Sequence, residues 1–302
     1  MSATDPTVPP GTPGASGSSV VTGVRLEGDP VARALAAARR PRRLGALYVA
    51  EYKLRSMRAY GWTIVVMGVG APLLYLIGLG SGLETFVGQL GTGADGRPVD
   101  YLVFVAPALL VTAAVSVSTE EFTYSVMEGF KWRRTFWAMN ATPVAPTQVA
   151  GGLVLAVVVR MTFTTIAYAL IALAFGAVSG IGPVLLLPLV GLLAGLAFGL
   201  PLLAYSAGLT EDTGQFSVVQ RFVFTPMFLF SGTFYPLDTL PTWLHWIGWI
   251  SPVWHATELG RVVSFGAPTS GLMVAVHLVV LVALAVGGWL LARQRFERRL
   301  RG

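Results

Sequence analysis

Few residues in this 302-residue sequence could do chemistry, and their spacing excludes most catalytic roles. ATP hydrolysis needs a glycine-rich loop ending in Lys followed by Ser or Thr, whose backbone N–H groups cradle the phosphates. The only two lysines, Lys53 and Lys131, are followed by Leu54 and Trp132. The chain carries no phosphate loop, so any hydrolysis belongs to a partner chain. The absence of cysteine removes disulfides, thiolate nucleophiles and cysteine-ligated metals. The three histidines, His245, His255 and His277, include no pair one helical turn apart, and His277 stands alone in an apolar run. They offer no local frame for a metal. The enzymatic alternative is an intramembrane serine protease with Ser206 or Ser231 as nucleophile and His277 as base. Spacing shows no activating pair for it, and membrane serines bond readily to their own or neighbouring helices.

The elements around these residues are hydrophobic. The sequence is 54% hydrophobic and 12% charged, about half the charge of a typical soluble domain. Apolar runs recur at a length that crosses a hydrocarbon layer of roughly 30 Å. The expected fold is an all-α membrane protein with six spanning helices, near Tyr60–Gly80, Tyr101–Ser118, Gln148–Phe175, Pro183–Gly208, Phe216–Gly232 and Ser270–Leu291. Residues 1–30, rich in Pro, Gly, Ser and Thr, read as a disordered extension. Residues 31–59 form a basic lead-in, and 60–302 the membrane domain with a short tail. No apolar segment with a cleavage site follows a basic start, so no cleaved leader is expected.

Basic residues set the orientation. Nine precede the first span, three follow the second (Lys131, Arg133, Arg134) and five lie in the tail, whereas the opposite loops hold only Arg97 and Arg261. Both termini are therefore expected in the cytoplasm, and the net charge of +6 is a topology signal rather than a nucleic-acid footprint. Two arginines fall inside spans. Arg160 has Glu120, Glu121, Glu211 and Asp212 as candidate partners, or a place along a transport path. For Arg221 the preferred partner is Glu211 or Asp212.

Three segments have patterns of their own. Before the first span, Leu44, Leu47, Tyr48, Leu54 and Met57 recur among arginines, as in a helix lying in the inner interface. After the second span, KWRRTFWAMN sets Trp132, Phe136 and Met139 on one helical stripe, with Lys131, Arg133 and Arg134 mostly off it. Gly129 breaks the chain before this segment and ATPVAP stops it afterwards. Such a helix suits docking on a soluble partner, or lying on the membrane. The third segment, FLFSGTFYPLDTLPTWLHWIGWISPVWH, is too apolar for a surface loop, yet Pro236, Pro241 and Pro252 interrupt it. Trp243, Trp246, Ile247 and Ile250 fall on one face, so the segment is expected to enter the outer leaflet and return without crossing.

In this order, the KWRRTFWAMNATPVAP loop and the SGTFYP, LP-W and P-W-H elements resemble the permease subunits of type-2 ABC exporters, in particular the daunorubicin-resistance and nodulation-factor export permeases. The likeness runs from about Arg43 to the end of the sequence. It implies a bacterial plasma-membrane permease that pairs with a second permease copy, identical or related. Two ABC ATPase subunits would bind ATP and Mg, leaving no cofactor on this chain. A lipid or amphipathic substrate, such as a drug, glycolipid or polysaccharide precursor, is implied as well. Phe130, Lys131, Trp132, Arg133, Arg134, Phe136, Trp137 and Met139 match the family's ATPase-coupling helix. Phe234, Tyr235, Pro236, Pro241, Trp243, Trp246, Trp249, Pro252, Trp254 and His255 match its outer re-entrant helices. A membrane scaffold without an ATPase partner is the other class of function.

Overall fold

The computed structural model describes residues 30–78, 82 and 84–302, and the chain divides into two compact units, Met1–Arg39 and Arg40–Gly302. The expected extension lies outside the described residues apart from Pro30. Described residues of the first unit are the opening turns of a helix, α1 (Pro30–Arg58).

In the second unit α1 passes Arg58, and the chain turns by 79° into α2 (Gly61–Ile77). Leu44, Leu47 and Tyr48 are exposed, as an interfacial face requires. Met57 does not join them. It is buried in the protein, because the last turns of α1 pack inward.

The expected polar loop after the first span instead forms a short helix, α3 (Glu84–Val87), and an antiparallel hairpin of β1 (Gln89–Thr92) and β2 (Pro98–Asp100). Its tip closes through Gly93 N–H donating to Arg97 O at 2.8 Å, with Gly96 at φ 75°. The residues between are short and polar, the composition that favours a tight reversal.

Next come α4 (Tyr101–Phe122), the turn α5 (Tyr124–Met127), a π-helical turn at Glu128–Trp132 and α6 (Thr135–Asn140). Two long helices follow, α7 (Pro146–Ala174) and α8 (Ile181–Gly208). Then come α9 (Gln215–Val219), a π-helical turn at Gln220–Phe224, α10 (Thr225–Phe230), α11 (His245–Ile250), α12 (Pro252–Phe265) and α13 (Gly271–Arg301).

Among the described residues four stretches are long and apolar enough to cross a membrane: Tyr101–Trp132, Pro146–Ala174, Ile181–Gly208 and Gly271–Arg301. The bent pair ending in α2 makes a fifth if taken as one span. The segment expected to be the fifth span, Phe216–Gly232, is assembled from α9, the π turn and α10. Widening at the π turn breaks the regular helix there, and these pieces do not make one long regular helix.

Helix α8 is central, and its GLLAGLAFG run explains how. Gly191, Gly195 and Gly199 lie four residues apart on one face. A Cβ at Gly191 would stand 2.8 Å from Leu110 Cδ2, and one at Gly199 would stand 2.7 Å from Ser118 Cβ. The missing side chains let α4 pack against the α8 backbone, the usual solution in lipid, where helices gain little from hydrophobic burial against each other.

Candidate functional site

Three sites emerge from the predicted segments. The first is the loop at 128–140, fastened to the end of the bundle where the tail of α13 emerges. Arg134 adopts the left-handed conformation (φ 52°), so the expected single helix Phe130–Asn140 is broken there. The break folds α6 back, and the Phe136 ring drops into the space left by the missing side chain of Gly129. Phe136 is therefore buried, against Phe130 (4.9 Å between centroids) and Phe296 (5.6 Å). This corrects the expected exposed stripe: Phe130 and Phe136 are core, and Met139 is half-buried. The exposed aromatics are Trp132 and Trp137, beside Lys131, Arg133 and Arg134. Trp137 Nε1 donates to Phe130 O (3.1 Å), and Asn140 Nδ2 donates to Leu300 O (2.8 Å). Arg299 lies 4.0 Å over the Phe130 ring and donates to Ala207 O (2.9 Å). Arg299 thus joins the loop to α13 and, through Ala207 O, to α8.

A cluster of charges forms the second site, between α1, α4 and α7. Arg160 binds Glu121 and Glu120 at 2.6 Å each, and Lys53 reaches Glu121 at 3.0 Å. Lys53 also donates to Ser125 Oγ (3.2 Å). Glu121 is 3% exposed in its side chain, Arg160 12% and Lys53 14%, so three of the four charges are taken out of water together. Glu120 and Glu121 are two of the four carboxylates that the sequence offered Arg160. Lys53 was missed, since a lone lysine in a basic lead-in gives no sign that it turns inward. Arg221 does not pair with Glu211 or Asp212. Those two lie in the tight turn before α9, where Asp212 Oδ1 accepts from Gly214 N–H (3.2 Å) and Glu211 O from Gln215 Nε2 (3.2 Å). Arg221 stands exposed one helical stretch further on, with no ion pair within the described residues.

At the opposite end the third site brings 231–265 against α4 and α13. Ser251 caps α12 by accepting from Val253 N–H (3.1 Å) and Trp254 N–H (3.4 Å), with Pro252 at the first helical position. That accounts for the SPVWH turn. Pro241 precedes a 3₁₀ turn at Thr242–Leu244, and Trp243, Trp246 and Trp249 are exposed. Pro252 is buried, Pro236 half-buried, and Trp254 stacks on Trp249 at 6.2 Å. Phe234 meets Phe228 edge-on at 5.0 Å. Tyr235 donates to Leu229 O (2.9 Å), and burial raises its phenol above the ordinary value.

Two features here were not foreseen. His255 Nδ1 and His277 Nδ1 lie 2.7 Å apart, both buried, so one imidazole donates to the other. His277 thus stands beside a histidine and not beside a serine. Among the described residues the hydroxyls of Ser206 and Ser231 have no hydrogen-bond partner, so the protease arrangement is not formed there. Arg261, counted from sequence as a loop charge, is also buried. It holds Glu258 (2.7 Å), Gly232 O (2.5 Å) and Phe104 O (3.4 Å), and it lies 3.7 Å over the Phe104 ring. The Glu258–Arg261 spacing, one turn apart in an apolar stretch, was the signal available in the sequence.

A bundle of apolar helices with buried ion pairs, a fastened loop and few catalytic groups defines a multi-pass membrane protein. The description ABC-2 type transporter matches residues 47–265, and the chain belongs to that family. It is a transport permease and not an enzyme, and its family implies an ATPase partner. It is 28% identical over 229 residues to nodulation protein J of Rhizobium leguminosarum bv. viciae, covering 76% of this chain and 85% of that one. Nodulation protein J of Rhizobium meliloti (strain 1021) is likewise 28% identical over 229 residues, covering 76% and 84%. That of Sinorhizobium fredii is 27% identical over 236 residues, covering 78% and 86%.

Proposed function

We propose that this chain is the membrane half of an ATP-driven exporter that moves amphipathic or lipid-linked molecules out of a bacterial cell. Drugs, glycolipids and polysaccharide precursors are the cargo classes. Two ABC ATPase subunits bind ATP and Mg, and two permease copies form the path. The observation that carries this reading is the 128–140 loop. It presents two exposed tryptophans and three basic side chains, and its Asn140 and Phe130 side chains are held to α13 by Leu300 O and by Arg299, which in turn bonds Ala207 O of α8. A loop that only lay on the membrane would need no such fastening. The likeness to nodulation protein J supports this branch of the family.

In this arrangement the chain crosses six times, with 216–232 as the fifth crossing, and both termini are cytoplasmic. The loop at 128–140 and the tail of α13 share one end of the bundle, where most of the basic residues gather. The chain has no cysteine, so single cysteines report topology cleanly. On intact cells an impermeant maleimide should label Asp95→Cys in the hairpin and leave Gly302→Cys unlabelled. The reverse pattern refutes the orientation.

The 234–255 segment forms the outer gate, re-entering the outer leaflet with Trp243 and Trp246 at interface depth, where indole finds both apolar and polar surroundings. Replacing both by alanine should impair export at matched protein levels while leaving ATPase assembly intact. Normal export in the double variant refutes the gate, and lost expression alone reduces the pair to anchors.

A further inference from the structure

Two cavities meet at Glu120. One, about 560 Å³, is lined by polar groups including Thr119, Ser217, Gln220 and Arg221. The other, about 230 Å³, runs between α2, α4, α7 and α10. Tyr75, Leu109, Tyr168 and Phe228 are among its walls, and Arg160 lies at its polar margin. Ser116, Glu120 and Phe224 belong to both, so a polar vestibule opens into an apolar slot.

The ion pairs behind the shared wall use up both carboxylates and leave Arg221 of the vestibule outside them. Lys53 and Arg160 are matched by Glu121 and Glu120. Arg221 is left over, without an ion pair or hydrogen bond within the described residues. The Ser217 hydroxyl and the Gln220 side-chain amide, beside it, likewise hold no hydrogen bond among the described residues. In the slot, the buried Tyr168 hydroxyl has no partner among the described residues either. Arg221, Ser217 and Gln220 are all exposed, so their donors are open to a ligand, and a guanidinium fork fits phosphate or carboxylate through two parallel bonds.

We infer that the vestibule and slot receive an amphiphile with an anionic headgroup, phosphate or carboxylate. The headgroup sits on Arg221 with Ser217 and Gln220, and the apolar part lies in the slot. Glu120, on the shared wall, repels the headgroup and sets how tightly it is held. The inference rests on the exporter reading for its biological use, although its test does not.

The full-length chain in a non-ionic detergent is titrated by calorimetry with decyl phosphate. Inorganic phosphate and decyltrimethylammonium are run in parallel. Saturable binding of decyl phosphate is expected, weakened about tenfold by Arg221→Gln and only partly restored by Arg221→Lys, which keeps the charge and loses the fork. Glu120→Gln should tighten it. Arg221 has no partner among the described residues, so its variants should melt with the wild type. Decyl phosphate bound equally by wild type and Arg221→Gln overturns the inference, as does equal binding of the cationic amphiphile. Inorganic phosphate binding as tightly removes the slot from it. Displacement by added phosphatidylglycerol assigns the site to a bilayer lipid, and resistance to displacement assigns it to cargo. These measurements need neither ATPase nor transport, so their failure leaves the exporter reading standing.

Discussion

Replacing Trp132 and Trp137 together by alanine should separate this chain from its ATPase. Buried aromatic anchors dominate interface energy, and truncating one at the centre of an interface costs about 2 kcal/mol or more, roughly 30-fold in affinity. Trp132 and Trp137 are 53% and 40% exposed in this chain, so a partner groove has both to bury. Arg133 is already paired with Glu128 at 2.7 Å, and Arg133→Ala should change little. Phe136→Ala acts differently. Its ring is packed against Phe130 and Phe296, so its loss should lower the melting temperature of the chain by itself, at about 3–5 kcal/mol. Co-purification with the ATPase, read beside the melting curve of each variant, distinguishes the two effects. Unchanged co-purification of the double tryptophan variant removes this surface from the account.

The second large effect concerns Glu121. Glu121→Ala should destabilise the chain by about 3–5 kcal/mol, because it leaves Arg160 and Lys53 as poorly compensated charges away from water. Glu120→Ala is the matched control. Its carboxylate also binds Arg160 at 2.6 Å, but it is 62% exposed, and such a pair contributes about 0–1 kcal/mol. Thermal unfolding of the two variants in one detergent decides the matter. Equal shifts would mean that the burial of Glu121 has no energetic consequence.

Periodicity and run length located most of the long helices, since a crossing needs a fixed count of apolar residues whatever surrounds it. They also marked the 128–140 loop and the SPVWH turn, where local chemistry is sufficient. They failed where a partner distant in sequence decides. The stripe Trp132, Phe136, Met139 is amphipathic on paper, but the left-handed Arg134 and the space beside Gly129 turn Phe136 inward. His255 and His277 lie on different helices, so no spacing rule pairs them. Arg221 was given to Glu211 or Asp212 by proximity in sequence, whereas both serve the turn before α9. The glycine stripe of α8, GLLAGLAFG, was missed, since only the contact with α4 gives it meaning.

Energy supplied by a separate subunit through the 128–140 loop is the central claim. Its most direct test is ATP hydrolysis and cargo efflux in proteoliposomes holding the chain alone, the chain with its ATPase, or the Trp132→Ala, Trp137→Ala chain with that ATPase. The expected result is no hydrolysis from the chain alone, ATP-dependent efflux with the partner, and no efflux with the double variant. Hydrolysis by the chain alone, or efflux that survives loss of both tryptophans at matched protein levels, would contradict it.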